Sequence, residues 1–288
     1  MTAAPSEHTG AGAETMKIQG TSVPRLGFGT WQLYGKDAAE AVRDALEIGY
    51  RHIDTARNYE NETHVGAAIK ESGIPRDQIF LTDKVFPVLN RTEVFNPALV
   101  RWAVEESLDR LDADYLDLLL LHWPNPRVPL EAALPAMTEL RDDGWVRHIG
   151  VSNFPPGMLQ RAIELAPIFC NQIEFHPFLS QTRVLEIARG HDLMVTAHTP
   201  LAAGLALTDA TLQRIGARHG RSAPQIALRW LLDQPNVAVI PMAPRHDWRI
   251  ENWQALDFAL SAEERAEIDA LSKDRRTVNP SFAPNWDA

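Results

Sequence analysis

The sequence predicts one α/β domain folded as a closed (β/α)8 barrel of the TIM type, and three observations carry that reading. Short apolar runs rich in Val, Ile and Leu alternate with stretches of helical periodicity along almost the whole chain. Eight such strand–helix units fit within the 288 residues, and eight units over about 250 residues match a closed barrel better than an open sheet. No Pro/Gly/Ser-rich linker divides the chain, so a single domain is expected.

Residues 1–15, MTAAPSEHTGAGAET, hold neither the basic stretch nor the apolar run of a secretory signal, and read as a disordered tail ahead of a domain over 16–288. KIQG followed by TSVPRLG reads as a hairpin that plugs the bottom of the barrel. The barrel strands are then RLGFG (25–29), YRHIDT (50–55), IFLTDKV (79–85), DLLLLH (117–122), HIGVSN (148–153), FCNQIE (169–174), LMVTAHT (193–199) and VAVIPM (237–242). Helical patterns lie between them, among them DAAEAVRDALEIG, ETHVGAAIKESG, PALVRWAVEESLDRL, PLEAALPAMTELRDDG, PGMLQRAIELA, TRVLEIARG and SAPQIALRWLLDQ. Strands with nearly continuous apolar content belong in a parallel sheet covered outside by helices. The rival open dinucleotide-binding sheet needs a third glycine and a helix after its first strand, and LGFGTW has neither.

A formal net charge of −10 argues against nucleic acid or an anionic membrane as partner, because both are held mainly by clustered Lys and Arg. No apolar run reaches the roughly 18 residues that span a bilayer. Cys170 is the only cysteine, which rules out an intrachain disulfide and a cysteine-rich zinc site and suits a reducing cytoplasm. The ten histidines give no His-x-His at a strand end, EFHP (174–177) coming nearest to a ligand pair, so no metal is expected. What remains is small-molecule chemistry in the cytoplasm, for a chain expected to be a monomer.

Side chains at the C-terminal ends of barrel strands converge on one pocket. Asp54 ends the second strand, Tyr59 follows in its loop, Lys84 ends the third and His122 the fourth. Taken singly, each has an ordinary structural use as a cap, a packing residue or an ion-pair partner. Together they put four titratable groups at one rim.

Five segments surround these residues: GYRHIDTARNYENE (49–62), LTDKV (81–85), LDLLLLHWP (116–124), IGVSNF (149–154) and NQIEFHP (171–177). In this order they resemble the signatures of the aldo-keto reductase family, and the resemblance runs from Lys17 to the C-terminus. The short segment after HWP and the ending FAPNWD are most similar to bacterial 2,5-diketo-D-gluconate reductase-like members. The resemblance implies reduction of an aldehyde or ketone, for example a diketogluconate or methylglyoxal, by hydride from NADPH, with NADH as a second donor. Tyrosine, with a pKa of about 10, is a reluctant proton donor unless a positive charge lowers it. Lys84 supplies that charge, Asp54 balances the ammonium, and His122 places the carbonyl oxygen. Tyr59 is expected to be the acid; His122, with an ordinary pKa nearer neutrality, is the alternative. A non-catalytic cofactor-binding protein of the same fold is the other functional alternative, against which the intact set of four argues.

The resemblance also implies that Ser152, Asn153 and Gln172 hold the nicotinamide carboxamide, and that Thr30, Trp31, Asp54, Pro200 and Leu201 line the same cofactor groove. Glu251 and Asn252 match the adenine contacts. Two departures stand out. AHTPL places His198 where the family usually stacks a tyrosine on the nicotinamide, and a protonated imidazole would repel the oxidised ring. In VIPMAPRHDWRIEN, Met242, Ala243 and Trp248 replace the usual residues of the 2′-phosphate clamp, leaving Arg245 and Arg249 to take over and Trp248 to stack on adenine. Trp31, Phe86 and Trp123 follow strands where the family builds its apolar substrate walls, with Phe282 and Trp286 of the tail expected over the same mouth.

Overall fold

The computed structural model describes residues 14–86 and 96–287. Two antiparallel strands, β1 (Thr15–Ile18) and β2 (Thr21–Pro24), form the expected hairpin, turning through Gln19 and Gly20 at positive φ. Eight parallel strands follow: β3 (Phe28–Gly29), β4 (His52–Asp54), β5 (Phe80–Val85), β6 (Leu116–Leu121), β7 (Val146–Ser152), β8 (Ile168–Glu174), β9 (Met194–His198) and β10 (Val237–Val239). They pair in sequence order, and a parallel bridge from Leu26 to Val239 joins first to last. Backbone bonds from Gly27 N to Val239 O (2.8 Å) and from Val239 N to Arg25 O (2.7 Å) close the barrel. A Cβ on Gly29 would stand 2.8 Å from the Ile240 carbonyl oxygen, so the seam closes only because that residue has no side chain.

The outer layer consists of α1 (Gly35–Ile48), α2 (Glu62–Glu71), α3 (Pro97–Leu111), α4 (Leu130–Asp142), α5 (Pro156–Leu165), α6 (Thr182–Gly190), α7 (Leu205–Thr208), α8 (Ala210–His219), α9 (Ala223–Leu232), α10 (His246–Trp253) and α11 (Ala262–Asp269). Local chemistry sets several starts. The Asn96 side chain accepts from Ala98 N ahead of Pro97, and Ser222 with Gln225 and Ser261 with Glu264 form reciprocal capping boxes. Gly66 lets α2 rest directly on the end of α3, since a Cβ there would meet Leu111 O at 2.2 Å.

Side-chain alternation divides the core in two. Leu119 and Leu121 of β6 point outward into the layer beneath the helices, while Leu118 and Leu120 point inward with Phe80, Phe169, Cys170 and Met194. Ile18 and Val23 of the hairpin close that inner cluster from below. Each fully buried leucine of this kind contributes about 1.5–3 kcal/mol. With apolar packing filling the lower barrel, the polar strand ends are left at the other end.

Every barrel strand differs from its expected bounds by at least one residue, and the differences at the two ends of the barrel and at the start of the domain are the informative ones. The first barrel strand shrinks from 25–29 to two residues, and the last ends at Val239 and not at Met242, because Pro241 has no N–H to extend the ladder. The ordered chain reaches back before residue 16: Thr15 is in β1, and Glu14 pairs with Arg25 (3.6 Å) and Arg229 (3.2 Å). The rest of the expected tail, residues 1–13, lies outside the described residues. Among the described residues no helix is long and apolar enough to cross a membrane.

Candidate active site

Asp54 is the last residue of β4, Lys84 lies near the end of β5, and His122 directly follows β6. Tyr59 ends a 3-10 turn, Arg57–Tyr59, that the next residue, Glu60, leaves in the left-handed region (φ 56°). These elements bring the four residues together. The Lys84 ammonium is fully buried; it donates to Asp54 Oδ1, to the Thr55 carbonyl (2.8 Å) and to Tyr59 Oη (3.4 Å). The rings of Tyr59 and His122 meet edge to face, 5.8 Å apart. Asp54 is held from its other side by Gln172 Nε2 on β8 (2.7 Å).

The electrostatics follow from burial. Burial works against the Lys84 ammonium, but Asp54 and Tyr59 together outweigh it and raise its pKa. Burial also raises the Tyr59 phenol, with Lys84 the largest opposing influence. The expectation that Lys84 brings the tyrosine below its ordinary value is therefore corrected: the lysine limits an upward shift. His122 is pushed well below its ordinary pKa by burial and then by Lys84, so its ring is neutral. Its Nδ1 is buried without a hydrogen-bond partner.

The residues flanking this cluster form one hydrogen-bonded shelf. Ser152 Oγ donates to Gln172 O (3.0 Å), and Asn153, at φ 62°, donates through Nδ2 to His122 O (3.1 Å) and Ser152 Oγ (3.1 Å). With Nδ2 donating, Asn153 Oδ1 is the acceptor for His198 Nε2 (2.9 Å), and His198 Nδ1 accepts from Thr199 Oγ1 (3.0 Å). That neutral tautomer agrees with a His198 pKa pushed down to about 3, mainly by burial. Repulsion of an oxidised nicotinamide by an imidazolium is thereby removed. Gln172 keeps one N–H and its amide oxygen unused among the described residues, the donor and acceptor that a carboxamide needs, so the shelf fits a nicotinamide.

Sequence reasoning passed over Asn61. Fully buried, it donates to Thr30 O (2.9 Å) and Leu33 O (3.0 Å) and accepts from Thr55 Oγ1 (2.8 Å), stapling the loop that carries Trp31 to the loop that carries Tyr59. An asparagine two residues after the tyrosine in RNYENE was the available signal. Thr30 is anchored too, through Oγ1 to Asp54 O (3.0 Å).

Farther along the groove Pro200 is buried and Leu201 half-buried, and the chain then runs through Ala202, Ala203 and Gly204, all at positive φ. Met242 is half-buried after β10. Arg245 is exposed, paired with Asp247 (Nε–Oδ1 3.0 Å), and lies 5.0 Å over the exposed Trp248 ring. Arg249, one helical turn on, has its side chain turned inward. Its guanidinium is buried against Asp44 on α1 and donates to the Ala243 and Pro244 carbonyls, each at 2.9 Å, so it ties α10 down and does not face the groove as expected. Asn252 is buried and Glu251 half-buried on the same helix.

The aromatic residues gather at the mouth. Trp123 meets Phe282 edge to face at 5.4 Å and Trp286 at 6.2 Å, and Phe86 meets Phe282 at 6.4 Å. Trp31 is half exposed at the opposite loop. In the EFHP segment Glu174 is occupied by donors from His176, Thr277 and Val278, and no cluster of three ligand-type residues forms among the described residues.

Residues 25–273 match the model of the aldo/keto reductase family. The chain is 37% identical over 272 residues to the methylglyoxal reductase DkgB of Escherichia coli O157:H7, covering 92% of this chain and 100% of that protein. It is 40% identical over 272 residues to a glyoxal reductase of Bacillus subtilis (strain 168), covering 93% and 96%. Among solved structures, one described as a 2,5-diketo-D-gluconic acid reductase B superposes with a TM-score of 0.90 at 41% identity, over 96% of this chain and 99% of that one. The shared sequence over nearly the full length, the barrel and the convergent strand ends have one explanation: this chain belongs to the aldo/keto reductase family of oxidoreductases.

Proposed function

We propose that this protein is a cytoplasmic monomer that reduces small aldehydes, ketones and dicarbonyl compounds to alcohols, with NADPH as preferred donor and NADH as a second. The single observation that carries the reading is the buried Asp54–Lys84–Tyr59 array facing a neutral His122. When bound, the cofactor supplies a hydride to the carbonyl carbon. Ser152, Asn153 and Gln172 hold its carboxamide, His198 lies against the ring, and Trp248 and Arg245 take the adenine end. His122 orients the carbonyl oxygen, and Tyr59 gives it the proton, which leaves an alcohol and a phenolate. Lys84 stabilises that phenolate until solvent returns a proton, while Asp54 and Gln172 hold the lysine in register.

Assigning the acid to Tyr59 and not to His122 rests on charge. A neutral imidazole is a weak acid, whereas the phenol is fully protonated and in contact with a cation that lowers the cost of losing its proton. The names of the relatives point to methylglyoxal, glyoxal and diketogluconate as first substrates. Steady-state kinetics with NADPH and NADH against these three and nitrobenzaldehyde test the reading. Turnover of at least one of them, unaffected by a chelator, is the expected result; no oxidation of either cofactor with any of them refutes it.

A further inference from the structure

Glu174 ends β8 two residues after Gln172, yet nothing in the reduction chemistry uses it. Its carboxylate is 1% exposed and is surrounded by donors from the far end of the chain. Oε1 accepts from Thr277 N (2.6 Å), Thr277 Oγ1 (2.6 Å) and His176 Nε2 (3.0 Å), and Oε2 from Val278 N (3.0 Å), with Arg276 Nη1 at 3.5 Å. Burial opposes the charge, but these donors outweigh it and hold the pKa down to about 2. The carboxylate is ionised at any working pH.

Beyond this grip the chain returns to the mouth. The Arg276 guanidinium lies 3.7 Å over the Trp286 ring, Trp286 Nε1 donates to Asn279 Oδ1 (2.9 Å), and Trp286 and Phe282 both meet Trp123, the residue after His122. One buried carboxylate on a barrel strand thus holds the stretch of chain that leads to two aromatic side chains at the mouth. A surface segment needing only to be tethered would not require four hydrogen-bond donors and a guanidinium around one buried anion, because ordering and desolvating that anion is costly.

We propose that Glu174 is a positioning residue for substrate: by gripping Arg276–Val278 it fixes the tail segment bearing Phe282 and Trp286 against Trp123, and so sets the fit for bulky carbonyl substrates. The inference rests on the carbonyl reduction assigned above. It makes Glu174 a determinant of specificity that touches neither substrate nor cofactor.

Glu174→Gln in the full chain keeps the size but turns one acceptor oxygen into a donor facing other donors. The expected result is a KM for nitrobenzaldehyde raised roughly tenfold, as for one lost charge-assisted hydrogen bond, with kcat and the KM for glyoxal changed by at most about twofold. Trypsin should cut after Arg275 or Arg276 in this variant and spare the wild type under the same conditions. Removing residues 279–288 should raise the same KM, and Glu174→Gln should add nothing in that shortened chain. Thr277→Val removes only one donor and should move the same KM in the same direction by less, so the test survives if the Gln variant fails to fold. Equal effects on both substrates, additive effects of variant and truncation, or unchanged protease resistance would overturn the proposal. Absence of any carbonyl reduction by the wild type would instead refute the function, while the protease experiment still reports on the grip.

Discussion

Tyr59 is a strong reservoir for its proton and a poor donor of it, and Lys84 is what narrows the gap. Burial raises the phenol, and the lysine opposes that rise by its charge and its hydrogen bond. The sign for the reaction follows. Reduction needs the protonated phenol, so it fades as pH rises through the Tyr59 pKa. In Lys84→Met the opposing charge is gone, and the alkaline limb of the reduction profile should move to higher pH while the maximal rate falls, because the phenolate left behind is no longer stabilised. The same change strands Asp54, and removing one partner of a buried pair costs about 3–5 kcal/mol. Rate–pH profiles and urea melts of the variant check both; a fully active variant with the wild-type profile contradicts the assignment. At this scale the sequence was legible wherever a residue's place follows from being at a strand end, as for Asp54, Lys84 and His122. It was opaque where the partner is remote. Arg249 looks like a phosphate ligand until Asp44, 205 positions away, claims it, and the partners of Glu174 lie 103 and 104 positions downstream.

Between elements, β5 and α2 are joined by an acid pair that the sequence motif LTDKV did not announce. Asp83 points away from Lys84 into the layer beneath the helices, fully buried, and lies within hydrogen-bonding reach of Glu62 at the start of α2. Glu62 Oε2 is taken by Arg110 on α3 (2.6 Å), whereas Glu62 Oε1 and both Asp83 oxygens have no other partner. A proton kept on Asp83 gives one of its oxygens a hydrogen to donate to Glu62 and relieves the repulsion between the two carboxylates. Burial, and then the negative charge of Glu62, hold the Asp83 pKa well above its ordinary value, against the pull of Lys84. A raised carboxyl pKa stabilises the fold below the ordinary carboxylate range. That contribution is lost as pH rises toward the folded value, since only the unfolded chain releases the proton. The wild type should thus lose about 1.4 kcal/mol per pH unit relative to Asp83→Asn across that window, and urea unfolding at a series of pH values from mildly acidic to neutral measures it. Parallel stability curves would show that Asp83 keeps no proton. The elements themselves were easier to read than this contact. All eight strands were visible because apolar runs need no partner to be recognised, while α7 and the left-handed turn before it were not, since Ala202 and Ala203 carry no local signal for positive φ.

Across the whole molecule, the barrel supplies a ring of strand ends, and the loops bring to it the residues proposed above for cofactor and substrate. The proposed adenine end is the weaker half. With Met242, Ala243 and Trp248 in place of charged or polar side chains and Arg249 turned to Asp44, Arg245 is the one guanidinium of this segment left at the surface, and it already shares its charge with Asp247. Arg245→Ala should weaken NADPH by about tenfold, the low end for a charge-assisted phosphate contact, and leave NADH nearly untouched. Met242→Lys should do the reverse. Dissociation constants from quenching of tryptophan fluorescence decide this, and equal losses for both cofactors would place Arg245 elsewhere than at the extra phosphate. The most direct test of the central claim, a hydride passed to a carbonyl with Tyr59 as acid, is transfer of deuterium from the reduced nicotinamide carbon of labelled NADPH to methylglyoxal. The wild type should deliver the label to the carbon that becomes the alcohol, and Tyr59→Phe should bind NADPH equally but transfer at least about 10²-fold more slowly. Failure of the wild type to transfer label to any tested carbonyl, or a Tyr59→Phe variant retaining more than about a tenth of the transfer rate, would contradict the account.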